Sequence, residues 1–160
     1  MNRTIAVAPV RKSVIVQATP ARAFEVFTAL IDRWWPKTHG IGSAPIRESI
    51  IEPFVGGRWY TTCEDGTEVT VGHVRLWRPA ERFIVSWEIS ADWKPDSRAA
   101  FASEVDVQFM ADGAGRTRVE LEHRNFERMG PEAGHKMRNS VDGGWPAILE
   151  IYARAASGDP

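Results

Sequence analysis

The sequence predicts an α+β domain: a curved antiparallel sheet of about seven strands that grips one long C-terminal helix, with two short helices near the start. Three observations carry this. Between residues 46 and 124 short β-branched and aromatic runs follow one another through turns too brief for helical crossovers. From Pro131 the apolar period changes to that of a helix and holds to about Ala155. Near the N-terminus, Thr19-Pro20 places a capping hydroxyl directly before a residue suited to the first helical position.

The elements follow in order. Val10–Gln17 (VRKSVIVQ) reads as a strand that stops at Ala18-Thr19-Pro20. Ala21–Ile31 carries Ala23, Phe24, Phe27, Leu30 and Ile31 at helical spacing, and Asp32–Trp35 continues or restarts that helix before Pro36 ends it. Lys37–Pro45 is a loop. Strands are expected over Ile46–Glu52, Trp59–Glu64, Glu68–Trp77, Phe83–Ile89, Phe101–Ala111 and Thr117–Arg124, with hairpin signals at Asp65-Gly66 and across Asp112–Gly115. Ala91–Ala99 reads as an irregular loop. In the final helix Met137, Val141, Trp145, Ile148, Leu149 and Tyr152 form one apolar stripe. Gly143, Gly144 and Pro146 lie within it and predict a kink or break, since each glycine costs about 1 kcal/mol and the proline about 3.

At 160 residues a single domain spanning 1–160, with a core over about 10–155, is the expected organisation. The loose ends are expected at residues 1–8 and in the Ser157–Pro160 tail. A chain of this size buries roughly 68–70% of its unfolded surface, so no disulfide or structural metal is required. The lone Cys63 excludes an internal disulfide and any site of several thiolates. With 20 basic against 21 acidic residues, scattered along the chain, nothing attracts nucleic acid. No apolar run reaches the ~20 residues of a membrane span, and the N-terminal stretch is too short for a signal-peptide core, so the expected location is the cytoplasm.

Alternation assigns the inward faces. Thr117, Val119 and Leu121 are less polar than Arg118, Glu120 and Glu122, and this parity carries His123 inward. Val105, Val107 and Phe109 form the inner side of the preceding run, and Phe83, Val85 and Trp87 share one side of theirs. The Glu68–Trp77 run is apolar on both parities and leaves its inward face open.

Several segments stand in the order seen in one known family. They are Thr19-Pro20-Ala21-Arg22-Ala23-Phe24-Glu25-Val26-Phe27, Arg33-Trp34-Trp35, Glu52-Pro53-Phe54-Val55-Gly56-Gly57-Arg58-Trp59, Gly72-His73-Val74-Arg75-Leu76-Trp77-Arg78-Pro79-Ala80-Glu81-Arg82-Phe83, Ser86-Trp87, Gly115-Arg116-Thr117-Arg118-Val119-Glu120-Leu121-Glu122-His123 and Gly144-Trp145-Pro146-Ala147-Ile148-Leu149. Together they span roughly residues 10–153. The chain resembles the bacterial branch of the helix-grip superfamily, which includes Bet v 1-like and START domains. Within it, the match is to the group named for the C-terminal domain of the activator of Hsp90 ATPase. The resemblance implies a seven-stranded sheet around the C-terminal helix and an internal cavity. Members of the superfamily bind lipids, hormones or polyketides, and some cyclise or hydrolyse them. The family name also implies an Hsp90-type chaperone as a partner. The eukaryotic co-chaperone carries a second domain that this chain has no room for.

No motif specifies a reaction. Gly40-Ile41-Gly42-Ser43-Ala44-Pro45 is not a nucleophile elbow, because Pro45 stands where its last glycine belongs. Gly113-Ala114-Gly115 precedes no helix and is not a phosphate loop. The four histidines have no metal-ligand spacing, so neither metal nor cofactor is expected. Seven tryptophans are the strongest signal. The expected reading is a cavity for a small apolar or amphipathic molecule, walled by Trp35, Trp59, Trp87, Phe109, Val141, Trp145 and Leu149. His123 is expected either as a satisfied core residue or as a polar anchor or general base, paired with Glu48 if the two meet.

Overall fold

A computed structural model describes residues 7–158. The loose ends expected at 1–8 and 157–160 fall largely outside the described residues. Within them Val7 is buried, and the Ser157 hydroxyl accepts the Gln17 N–H at 3.0 Å. The chain is tied down closer to both ends than its sequence suggests.

Seven strands form one antiparallel sheet: β1 (Val10–Val16), β2 (Ile46–Ile51), β3 (Arg58–Cys63), β4 (Glu68–Arg78), β5 (Arg82–Trp87), β6 (Ser103–Ala111) and β7 (Thr117–Arg124). Their order is β1-β7-β6-β5-β4-β3-β2, so β1 joins the far end of the meander begun by β2. Helix α1 (Pro20–Phe27) and helix α2 (Pro131–Ala156) cover the concave side. The Tyr152 hydroxyl on α2 donates to the Ala23 carbonyl on α1 at 2.8 Å, and Lys12 on β1 pairs with Asp142 on α2 at 2.9 Å.

Thr19 caps α1 by accepting the Arg22 N–H, with Pro20 at the first helical position. The helix is shorter than expected. The Thr28 hydroxyl donates to the Phe24 carbonyl at 2.7 Å, and the chain tightens into a 3₁₀ turn over Ile31–Arg33. Both Trp34 and Trp35 then point inward, Trp34 donating its indole N–H to the Val26 carbonyl at 2.8 Å. A second 3₁₀ turn, Ala99–Phe101, occupies what reads as the start of a strand, and β6 begins at Ser103.

The break expected in the last helix is absent: α2 is continuous from Pro131 to Ala156 with Pro146 inside it. Six buried side chains along its stripe (Met137, Val141, Trp145, Ile148, Leu149 and Tyr152) each contribute about 1.5–3 kcal/mol on burial. That outweighs a combined propensity cost of about 5 kcal/mol from Gly143, Gly144 and Pro146.

Strand β4 settles the face its sequence leaves open by using both. The register with β3 jumps between Trp59↔Gly72 and Tyr60↔Thr70, and that with β5 between Val74↔Val85 and Leu76↔Ile84. Each jump inserts one extra residue and reverses which parity faces inward. Val69, Val71 and Val74 are therefore all buried. Gly72 is required at the first bulge, because a Cβ there would lie 1.7 Å from the Ser86 carbonyl oxygen.

On the convex face Asp106 is almost fully buried beneath Arg82, which binds it through two nitrogens at 2.9 and 2.6 Å, and Arg124, which adds a contact at 2.6 Å. Burial alone would raise the Asp106 carboxyl, but the two guanidinium groups overcome it and hold it below the usual carboxylate range.

Candidate functional site

The concave side divides into two aromatic clusters. Toward α1, Phe24, Phe27, Phe83 and Phe109 meet edge to face or offset, Phe24–Phe109 at 5.2 Å between ring centres. That region is solid core. Toward the Lys37–Pro45 loop four indoles close a ring: Trp35–Trp59 at 5.1 Å, Trp59–Trp87 at 5.9 Å, Trp87–Trp145 at 5.8 Å and Trp145–Trp35 at 6.2 Å. Beside this second cluster lies a cavity of about 330 Å³, within the range of small-molecule sites.

The cavity is built from four directions. Helix α2 supplies Val141, Gly144, Trp145 and Ile148. The sheet supplies Thr61 from β3, Val71 from β4 and Trp87 from β5. Trp35 and the loop after it, Thr38 to Ile41, line it too, as do Ile89 and Trp93 from the β5–β6 connection. Gly144 borders the cavity from an exposed helix position, where a Cβ would meet nothing within 4 Å. No Asp, Glu, Lys or Arg is among the described lining residues, and His39 is the titratable side chain among them.

The expected site residues are thus separated. Trp35, Trp87, Val141 and Trp145 line the cavity. Trp59 meets Trp35 and Trp87 edge-on and is not among the lining residues, Leu149 is buried in the core, and Phe109 belongs to the other cluster. Glu48 does not meet His123: the register of β2 shifts between Ile46 and Glu48, turning Ser49 and Ile51 inward and leaving Glu48 exposed.

His123 is completely buried behind the wall, with both ring nitrogens engaged. The Trp145 indole donates to Nδ1 at 3.1 Å. An indole N–H has no acceptor capacity, so Nε2 must carry the proton and donate to the Ser103 hydroxyl at 2.8 Å. Desolvation lowers the pKa of His123 to about 3 and keeps it neutral. It has no free lone pair for a base and no face on the cavity, which corrects the anchor and general-base expectations. What it does is fix the ring of Trp145.

The missed lining residues have specific causes. Thr61 shares the inward parity of Trp59 on β3 and was legible there, whereas Val71 lies on a strand whose bulge leaves alternation without a single inward face. Trp93 lies in an irregular loop with no periodicity to place it. Ile148 stood in the helix stripe and was legible there.

A family model described as activator of Hsp90 ATPase homolog 1-like protein matches residues 17–155. The chain belongs to this family. Among solved structures, this member of the family is similar to an anthrahydroquino-γ-pyrone synthase, with 37% identity, 93% of this chain and 97% of that one covered, and a TM-score of 0.65. It is also similar to the self-sacrificing resistance protein CalC from Micromonospora echinospora, with 31% identity, coverage of 92% and 93%, and a TM-score of 0.67. The Aha1 dimer from Colwellia psychrerythraea shares the fold at 14% identity, coverage of 96% and 98%, and a TM-score of 0.65. No curated protein sequence matches the chain. Among the described residues no helix is long and apolar enough to cross a membrane, and no group of three or more His, Cys, Asp or Glu is placed to hold a metal ion.

Proposed function

We infer that this protein binds a small, flat, uncharged aromatic molecule in the cavity between the sheet and α2. The observation that carries the reading is a wall built around Trp35, Trp87 and Trp145 that includes no charged group among its described residues. Indole faces favour offset or edge-on contact with another aromatic ring, and a dry, uncharged wall penalises an ionised ligand that it cannot pair. The likeness at 37% identity to an anthrahydroquino-γ-pyrone synthase supports a fused-ring ligand.

The test is a titration of intrinsic tryptophan fluorescence with 1,8-dihydroxyanthraquinone and, in parallel, with a sulfonated anthraquinone. Saturable one-to-one quenching by the neutral compound and none by the sulfonate is the expected outcome. Equal binding of both, or saturable binding of neither, overturns the reading.

A second reading, catalysis on the bound molecule, is favoured by the identity to a synthase. Proton transfer there would fall to His39, with the Thr38 and Thr61 side chains beside it in the lining. Ring closure of an open-chain polyphenol precursor by the wild type, lost in His39→Ala, is its expected signature; identical turnover in that variant would sink it.

A further inference from the structure

Trp93 is held in a conformation that its own side chain disfavours. Its φ is 60°, in the left-handed region that glycine and asparagine enter easily and a bulky residue enters at a cost. The segment around it imposes this. Ser90 accepts the Trp93 N–H at 2.8 Å and donates its own N–H to the Lys94 carbonyl at 2.8 Å, while Ile89 and Pro95 pair as an antiparallel bridge. A glycine would complete the same turn without strain. The ring makes no contribution to the buried core: it is 40% exposed, and it lines the cavity together with Thr38 to Ile41, which places it where the cavity meets solvent. Beside it, Asp92 reaches Lys136 on α2 at 3.2 Å, an ion pair with both side chains mostly in water.

A strained, half-exposed aromatic at the mouth of an indole-walled cavity is explained by what the cavity holds. We propose that Trp93 is the retention residue of this site: its ring covers the bound molecule at the mouth, and the Asp92–Lys136 pair holds the turn against α2 while it does so. This rests on the ligand-binding reading and deepens it. The interior indoles set which molecule fits, and Trp93 sets how long it stays. Exposed ion pairs are weak, so the latch opens readily and the molecule is not trapped.

The experiment compares wild type, Trp93→Gly, Trp93→Phe and Lys136→Ala, and reads dissociation of 1,8-dihydroxyanthraquinone by stopped-flow fluorescence. Trp93→Gly is expected to release the probe at least tenfold faster, Trp93→Phe within about threefold of wild type, and Lys136→Ala a few-fold faster. The melting temperature of Trp93→Gly should equal or exceed that of wild type, because the left-handed residue is now unstrained. A dissociation rate in Trp93→Gly within twofold of wild type overturns the proposal. If wild type fails to bind the probe, the cavity reading is what fails, and acrylamide quenching without ligand then decides the cover on its own. Covering predicts that quenching of the remaining tryptophans rises in Trp93→Gly although an exposed indole has been removed, and unchanged or lower quenching overturns it.

Discussion

The indole N–H of Trp145 donates to Nδ1 of His123 across 3.1 Å, joining the C-terminal helix to strand β7 from inside the protein. The bond gives a wall residue a fixed orientation. It also consumes the lone pair that would otherwise have made His123 the obvious catalytic group.

Stability should fall in acid because His123 is buried. The His123 imidazole takes up a proton near pH 6.5 when solvated but only near 3 when buried. Between those values the unfolded chain binds the extra proton, so stability is lost as pH falls through that window, by up to about 1.4 kcal/mol per pH unit. His123→Gln should be less stable at neutral pH by roughly 1–3 kcal/mol and show a shallower acid slope. Urea unfolding of both proteins across the window checks this, and parallel slopes would contradict it.

Gly72→Ala should be among the most damaging single substitutions. A methyl placed 1.7 Å from the Ser86 carbonyl requires β4 and β5 to part beside the bulge that brings Val74 to the same side as Val71. A loss of about 3 kcal/mol or more is expected in denaturant unfolding. A loss below about 0.5 kcal/mol would mean that the two strands do not pack as described.

Two ion pairs should differ sharply. Asp106→Ala leaves Arg82 and Arg124 without the buried carboxylate between them and should cost about 3 kcal/mol. Glu120→Ala removes an exposed partner of Arg118 and should stay within about 0.5 kcal/mol. Chemical denaturation of the two variants at one salt concentration compares them directly.

The ligand and chaperone readings separate on a single variant. Gly144→Leu places a side chain at the edge of the cavity, from an exposed helix position where a Cβ meets nothing within 4 Å. Any stimulation of a purified Hsp90-type ATPase by the wild type should persist in it, whereas probe binding should not. Stimulation lost together with binding would tie the two activities to one site.

Much of the fold was legible because each signal was local. Thr19-Pro20 capped α1 as read, the Asp65-Gly66 turn falls between β3 and β4, and the stripe from Met137 to Tyr152 is buried. The site was only partly legible because it depends on register. One shift in β2 sent Glu48 outward, and the first of two in β4 brought Val71 and Val74 to the same side. Alternation alone cannot count an inserted residue. The inward parity of His123 was correct, yet its role depended on Trp145 and Ser103, whose meeting no spacing in the sequence encodes.

The most direct test of the central claim is calorimetric titration of wild type and Gly144→Leu with 1,8-dihydroxyanthraquinone, alongside their melting temperatures. Replacing a helical glycine with leucine should raise stability by up to about 1 kcal/mol, or roughly 2–4 °C. The account predicts one-to-one binding by the wild type and at least a tenfold loss of affinity in a variant that melts no lower. Undiminished binding by Gly144→Leu would put the ligand somewhere other than this cavity and contradict the account.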